Sequence, residues 1–183
     1  MSNPGETGED DAPITTSKTA KPARELVGRT VTINRPRDEV FGFFRDFSNL
    51  PKFMENVERI DVLDDTRSHW VVKAPLGRTV EWDATLTEEV PGEALTWRSG
   101  EGADVPNSGR VTFVEVPGRG TVVTATIAYD PPLGAVGKIV AKMFQREPAI
   151  QARRDLRRLK QLMETGEVAT GARNARLFEE GKN

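Results

Sequence analysis

The sequence predicts an α+β fold in which an antiparallel sheet packs against one long amphipathic helix. Apolar and polar residues alternate for about 70 residues from Val57, and Pro, Gly and Asp residues divide that region into short runs. Runs of this kind pair as an antiparallel meander. The apolar residues of 134–164 recur instead at helical spacing. A sheet with one apolar face needs a covering layer, and the helix would provide it.

The first predicted elements are a strand at Arg29–Asn34 and two short helices. Val31 and Ile33 alternate with polar neighbours in the strand. Pro36 suits the first turn of a helix, whose apolar face carries Phe41 and Phe44 among others. Ser48 is the predicted N-cap of the second helix, which continues through Met54 with Pro51 in its first turn.

Six further strands are predicted, and the clearest of them defines the buried face of the sheet. In Arg78–Thr87 one face carries Val80, Trp82, Ala84 and Leu86 and the other is polar. The strand from Gly109 is ambiguous because both of its faces carry apolar residues. The six predicted strands are Val57–Leu63, His69–Ala74, Arg78–Val90, Ala94–Ser99, Gly109–Val116 and Thr121–Tyr129.

The last predicted element is the helix at 134–164. At 1.5 Å per residue it would be roughly 46 Å long, enough to cross a domain of this size. Pro148 lies inside it and lacks a backbone donor, so we expect a kink or short break near Gln145–Pro148. The order of elements is therefore one strand, two short helices, six strands and one long helix.

Length and composition indicate one cytoplasmic domain with two flexible tails. A chain of 183 residues suits a single core. The segment 1–28 is rich in Gly, Pro, Ser and acidic residues and is predicted to be disordered, 29–166 to be the folded domain, and 167–183 to be a flexible tail. The N-terminal residues do not resemble a signal peptide and no apolar run has membrane-spanning length.

Charge is distributed unevenly along the chain. Residues 134–164 carry eight Lys or Arg and three acidic residues, for a net charge of +5, whereas 29–133 carry 12 basic and 17 acidic residues, for −5. A solvated helix face explains such a run, and contact with an anionic surface or partner is the functional alternative. The residues expected to make that contact are Arg153, Arg154, Arg157 and Arg158.

Two stretches resemble a known superfamily. The segment VTINRPRDEVFGFFRDFSNLPKFMENVERIDVLD resembles the start of START-like (SRPBCC) domains, the polyketide cyclase/dehydrase and lipid-transport group. The ending EPAIQARRDLRRLKQLMETGE resembles the terminal helix of its bacterial cyclase/dehydrase-like branch. The resemblance covers about 29–166. It implies a helix-grip fold, in which a curved seven-stranded antiparallel sheet wraps around the C-terminal helix and leaves a ligand cavity between them.

The first functional hypothesis is a non-enzymatic carrier that binds a lipid, quinone or polyketide-like molecule in that cavity. Aromatic side chains on the predicted inner face could line the cavity or simply fill the core, and the sequence leaves both readings open. The predicted lining residues are Trp70, Val72, Val80, Trp82, Ala84, Leu95, Trp97, Phe113, Ile127, Tyr129, Val140, Met143 and Phe144.

The second hypothesis is a polyketide aromatase/cyclase that uses the same cavity. Few titratable residues are predicted to face inward, and only Tyr129 and Glu115 are candidates for acid–base chemistry. None of the polar groups used by the family's cyclases can be matched residue by residue.

Other kinds of site have little support. The chain has no cysteine and one histidine, His69, so no metal site or cofactor is expected. Phosphate-loop and dinucleotide motifs are missing, and the basic helix lacks the interleaved aromatic residues typical of nucleic-acid binding. Ligand identity and oligomeric state cannot be read from the sequence.

Overall fold

The computed structural model describes residues 25–130 and 148–169. Three segments that bear on the predictions lie wholly or mostly beyond these ranges. They are the tails 1–28 and 167–183 and the first half of the predicted long helix, with its kink near 145–148. The side chains of 25–27 and 148–150 also lie outside the description.

Seven antiparallel strands form one sheet within the described residues. Their order is β1-β7-β6-β5-β4-β3-β2, so β1 and β2 are the two edges and β7 to β2 form a simple meander. Their bounds are β1 Glu25–Ile33, β2 Val57–Val62, β3 Arg67–Ala74, β4 Arg78–Val90, β5 Ala94–Ser99, β6 Asn107–Val116 and β7 Gly120–Tyr129. This confirms the predicted meander and the predicted fold class.

β1 includes residues that composition assigned to the N-terminal tail. The strand spans Glu25–Ile33 and pairs with β7 along its whole length, from Glu25 opposite Tyr129 to Ile33 opposite Thr121. The predicted strand at Arg29 was therefore four residues too short. Pairing with a distant strand keeps Gly28 in the sheet, although glycine is a poor strand former by itself.

The two short helices after β1 are confirmed, with one correction at the second cap. Helix α1 spans Arg37–Arg45 and follows Pro36. The second helix is a 3-10 helix at Phe47–Lys52, and its cap is Asp46 rather than the predicted Ser48. The Asp46 carboxylate accepts hydrogen bonds from the Ser48 backbone N–H at 3.1 Å and from the Ser48 hydroxyl at 2.6 Å. A carboxylate two residues earlier thus accepts the Ser48 N–H, which has no partner within the helix.

Helix α2 spans Pro148–Thr165 within the described residues. It lies against β1, and its Asp155 and Arg158 contact Glu55, just before β2. Leu156, Leu159 and Met163 are buried in the core. The helix ends where Gly166 adopts a positive φ of 77° and donates its N–H to the Leu162 carbonyl at 2.8 Å, as glycine does at many helix ends.

The sheet is curved by irregularities in two of its strand pairs, one at the β2 edge and one at the centre. Register shifts interrupt the β2–β3 ladder between Val57 and Arg59 and the β4–β5 ladder between Leu86 and Glu88. Bulges of this kind bend a strand and increase its twist. The concave face of the sheet is therefore the side that α1, the 3-10 helix and α2 cover.

Candidate functional site

The concave face has one closely packed end beneath the helices. The ring of Phe113 on β6 contacts the edges of Phe41 and Phe44 on α1, with centroids 5.3 and 5.7 Å apart. Phe53 packs 6.0 Å from Phe44, and Leu159 of α2 is fully buried in the same cluster. This end forms the hydrophobic core, with the close packing usual for a protein interior.

The concave face also carries three tryptophans that are only half-buried, although Val72, Val80 and Ala84 beside them are buried. Trp70 and Trp82 are directly paired across β3 and β4, with centroids 6.2 Å apart and planes 11° from parallel. Trp97 lies over Gly109, its cross-strand partner. Large apolar rings that remain partly accessible on an inner face indicate a surface that a ligand could cover.

Neutral hydrogen bonds satisfy two of the indole N–H groups. Trp70 Nε1 donates to Ser68 Oγ at 2.9 Å, and Ser68 is 1% exposed. Trp97 Nε1 donates to Asn107 Oδ1 at 3.3 Å, while the Asn107 amide donates to the Val105 carbonyl at 2.9 Å. These bonds orient the rings without placing a charge beside them.

The structure places the predicted lining residues in two groups. Trp70, Trp82, Trp97 and Ile127 are half-buried on the tryptophan-bearing part of the face. A second group is buried: Val72, Val80, Ala84, Leu95, Phe113 and Tyr129. Val140, Met143 and Phe144 lie outside the described residues.

The two candidate acid–base residues lie at opposite ends of the sheet. Glu115 pairs with Thr121 at one end of the β6–β7 ladder, and Tyr129 pairs with Asn107 at the other. Eight positions at about 3.4 Å each separate them by roughly 27 Å. Glu115 is exposed and Tyr129 is 3% exposed. Because of this separation, the two side chains do not form a catalytic pair with each other.

One charged residue on this face was missed by sequence reasoning. Arg29 pairs with Ala125, and directly opposed residues project from the same face, so Arg29 shares the concave side with Val31 and Ile33. It is half-buried, and its Nη1 donates to the Gly28 carbonyl at 2.6 Å. The period-2 phase of Val31 and Ile33 would have identified it, but the strand was predicted to begin at Arg29 itself.

His69 of β3 and two acidic residues of β4, Glu81 and Asp83, lie on the convex face. His69, directly opposite Asp83, has its Nδ1 2.7 Å from Asp83 Oδ1 and its Nε2 3.4 Å from Glu81 Oε2. The hydrogen bond to Asp83 raises the pKa of His69, and Glu81 adds to the effect while partial desolvation opposes it. No group of three His, Cys, Asp or Glu residues in the described part of the chain is placed to hold a metal ion.

Two surface hollows are lined by no tryptophan. One of about 370 Å³ is formed by the β5–β6 loop, including Ser99, Gly100 and Glu101, with Arg98 at its edge. A shallower groove of about 220 Å³ surrounds Gly109 on the sheet. Neither is lined by an aromatic side chain, so the concave face remains the better candidate for an apolar ligand.

Comparisons with known proteins agree with this geometry. The family described as polyketide cyclase/dehydrase and lipid transport matches residues 25–164. An uncharacterized 17.2 kDa protein from the melC2–rnhH intergenic region of Streptomyces lincolnensis is 30% identical over 146 residues, covering 79% of this chain and 93% of its own.

Solved structures extend the likeness. The crystal structure of DR_A0006 from Deinococcus radiodurans is 40% identical with a TM-score of 0.63, and the match covers 78% of this chain and 99% of that one. The ZhuI aromatase/cyclase from Streptomyces sp. R1128 is 14% identical with a TM-score of 0.62, covering 80% and 100%. At 14% identity the second likeness shows the fold alone, and that fold is the helix grip.

Proposed function

This chain belongs to the polyketide cyclase/dehydrase and lipid transport family, and we propose that it binds and carries a hydrophobic small molecule on the concave face of its sheet. The proposal rests on one observation, the half-buried surface formed by Trp70, Trp82 and Trp97 beside a fully packed phenylalanine core. A lipid, a quinone or a polyketide-like molecule would bury that surface.

The side chains favour a neutral, flat or extended apolar ligand. The nearly parallel indoles of Trp70 and Trp82 offer a broad apolar surface. Ser68 and Asn107, the polar groups beside the rings, already accept the indole protons. Binding would therefore depend mainly on apolar contact, while Arg29 at the β1 edge is a charged side chain on the same face.

Native mass spectrometry of freshly purified protein, followed by organic extraction, is the direct test. A stoichiometric apolar adduct is the expected result and would give the ligand's chemical class. A second measurement titrates the protein with the uncharged apolar fluorophore N-phenyl-1-naphthylamine. Trp82→Asp is expected to abolish its binding, whereas Val114→Asp, on an exposed site of the convex face, leaves it unchanged.

A further variant distinguishes loss of the binding site from loss of the fold. Ile127→Trp adds an apolar ring to the half-buried part of the concave face and should exclude the fluorophore while the protein stays folded. Wild-type affinity in folded forms of both Trp82→Asp and Ile127→Trp would contradict the proposed site.

An aromatase/cyclase activity is the second candidate, favoured by the family's description. Because Glu115 and Tyr129 are far apart, each would have to act alone on a polyketide substrate. Loss of product formation in folded Tyr129→Phe or Glu115→Gln would support the enzyme, and normal turnover in both would remove these two residues from the chemistry.

A further inference from the structure

The basic residues of α2 divide into two sets with different environments. Arg158 pairs with Glu55 at 3.3 Å, and Lys160 bonds both the Thr32 carbonyl and the Glu164 carboxylate. These two cations attach the helix to the domain. Three other arginines, Arg153, Arg154 and Arg157, are exposed and form no ion pair with another described residue. We call these three residues the basic helix face.

No acidic residue in the described part of the chain pairs with the basic helix face, and an unpaired cluster of like charges is unfavourable. Arg153 and Arg157 are four positions apart, and Arg154 and Arg157 three, so their like charges are neighbours on the helix surface and repel. An external anionic partner would relieve this repulsion. The charge alone does not distinguish a membrane from other polyanions.

A second feature lies at the same end of the domain. The β3–β4 turn, Pro75–Gly77, carries Leu76, which is 86% exposed and has a φ of 65°. A left-handed backbone is uncommon for leucine, and an almost fully exposed leucine gains nothing from folding. Strain retained in an exposed apolar residue points to a role outside the folded core.

Hydrogen bonds place the end of β3, just before this turn, beside α2. The Asp155 carboxylate of α2 accepts the Glu55 N–H at 3.3 Å, and the Asn56 carbonyl accepts the Lys73 N–H at 2.8 Å. Lys73 is three residues before Leu76, and Arg78 follows the turn. Both are exposed and neither forms an ion pair with another described residue. Leu76 therefore has a cation before and after it in the sequence, at the end of the sheet where α2 contacts Glu55.

We propose that the basic helix face and the Leu76 turn together form a docking surface for an anionic lipid bilayer. The arginines, Lys73 and Arg78 would meet lipid phosphates and carboxylates, and Leu76 would enter the interfacial region. An apolar residue between cations suits a membrane surface better than a nucleic acid, which offers no apolar layer to insert into. In the described part of the chain no helix could span a bilayer, so the contact would be peripheral.

The proposal concerns the exterior of the domain and goes beyond ligand binding. It predicts that protein without ligand binds vesicles as well as loaded protein does, so its failure would leave the carrier function untouched. A carrier of an apolar molecule would load and release its ligand at such a surface.

Flotation with vesicles of phosphatidylcholine containing about one quarter phosphatidylserine tests the surface, with pure phosphatidylcholine as the comparison. The full chain should bind only the anionic vesicles, and less at high salt. Neutralising Arg153, Arg154 and Arg157 to Gln should weaken binding roughly a hundredfold. Leu76→Asn, which tolerates the left-handed backbone, should weaken it roughly tenfold.

A matched control removes an exposed cation and an exposed apolar residue elsewhere. Arg119→Gln with Val114→Thr, in and beside the β6–β7 hairpin, should bind like wild type. The proposal is overturned if wild type does not bind anionic vesicles at low salt, if the control loses binding equally, or if both test variants bind normally. Binding to a DNA duplex in place of vesicles would also overturn it.

Discussion

At the scale of single residues, His69 illustrates how a sheet sets a side chain's chemistry. Its direct partner across the ladder is Asp83, and their side chains are 2.7 Å apart. Hydrogen bonding to that carboxylate favours the imidazolium and raises the pKa of His69. The charged form stabilises the fold below the ordinary pKa of His, and this contribution is lost as pH rises through the raised value.

We expect proton NMR of the single histidine to report a pKa above its ordinary 6.5. Asp83→Asn should lower that pKa, because the neutral amide favours the imidazolium less. Glu101→Gln, in the exposed β5–β6 loop, serves as the control and should not change it. A wild-type pKa at or below 6.5 would contradict the hydrogen bond.

The carboxyl group of Asp155 should make the free energy of unfolding depend on pH. Burial of this α2 side chain against the segment before β2 raises its pKa to about 6, although hydrogen bonds from Glu55 N–H and Gln151 oppose the shift. The folded protein therefore binds more protons than the unfolded chain between about pH 4 and pH 6, and stability from this group falls as pH rises through that window. Ionisation of Asp155 over this pH range lowers the free energy of unfolding by about 3 kcal/mol at most.

Asp155→Asn should remove this fall, because an amide keeps an acceptor for Glu55 without a charge. Urea unfolding at several pH values between about 4 and 7 measures the difference from wild type. Glu101→Gln is again the control. An identical pH profile in Asp155→Asn and wild type would show that the carboxylate ionises freely in the folded state.

At the scale of elements, the pairing of β5 with β6 depends on a close contact between a ring and a glycine. A Cβ on Gly109 would lie 2.2 Å from Trp97 Cζ2 and 2.8 Å from the Thr126 carbonyl oxygen. The indole thus covers a position where no side chain fits, and an aromatic ring over a glycine also helps to set strand register.

Gly109→Ala is expected to destabilise the protein by about 1–3 kcal/mol, since the ring or the strand must move. Urea unfolding measures the loss, and near-UV circular dichroism reports the displaced indole. Gly42→Ala in α1 is the matched control. No heavy atom lies within 4 Å of its added Cβ, and alanine is the better helix former, so it should stabilise slightly. Equal stability of both variants would contradict the contact.

At the scale of the whole molecule, α2 joins regions near both edges of the sheet. Lys160 Nζ bonds the Thr32 carbonyl of β1 at 2.7 Å, and the Asn34 N–H donates to Glu164 at 2.7 Å. Asp155 and Arg158 contact Glu55, just before β2. Because one helix connects the strands at opposite edges, sheet and helix should unfold together.

Leu159→Ala tests this cooperativity. Leu159 is 0% exposed, and its truncation should cost about 2–5 kcal/mol. Tryptophan fluorescence follows β3, β4 and β5, and circular dichroism follows the helices. The two urea transitions should coincide in wild type and shift together in the variant. Loss of the helical signal at a lower urea concentration would show that α2 detaches independently.

Local patterns in the sequence determined the elements and their faces. Alternation placed Trp70, Trp82 and Trp97 on the inner side, and the Pro and Gly turns placed most strand ends within two residues of those observed. The β6 phase was ambiguous by itself. It was decided by its neighbours, because Phe113 faces Val123 on β7 and packs beneath α1.

Only the tertiary structure determined which of these residues contact one another. The same inner face is packed by phenylalanines at one end and left half-buried at the tryptophans, and the same helix attaches through Arg158 and Lys160 while leaving Arg153, Arg154 and Arg157 exposed. Periodicity specifies the direction of a side chain relative to its own strand or helix. The partner it finds depends on register and curvature, which are set by contacts between residues far apart in the chain.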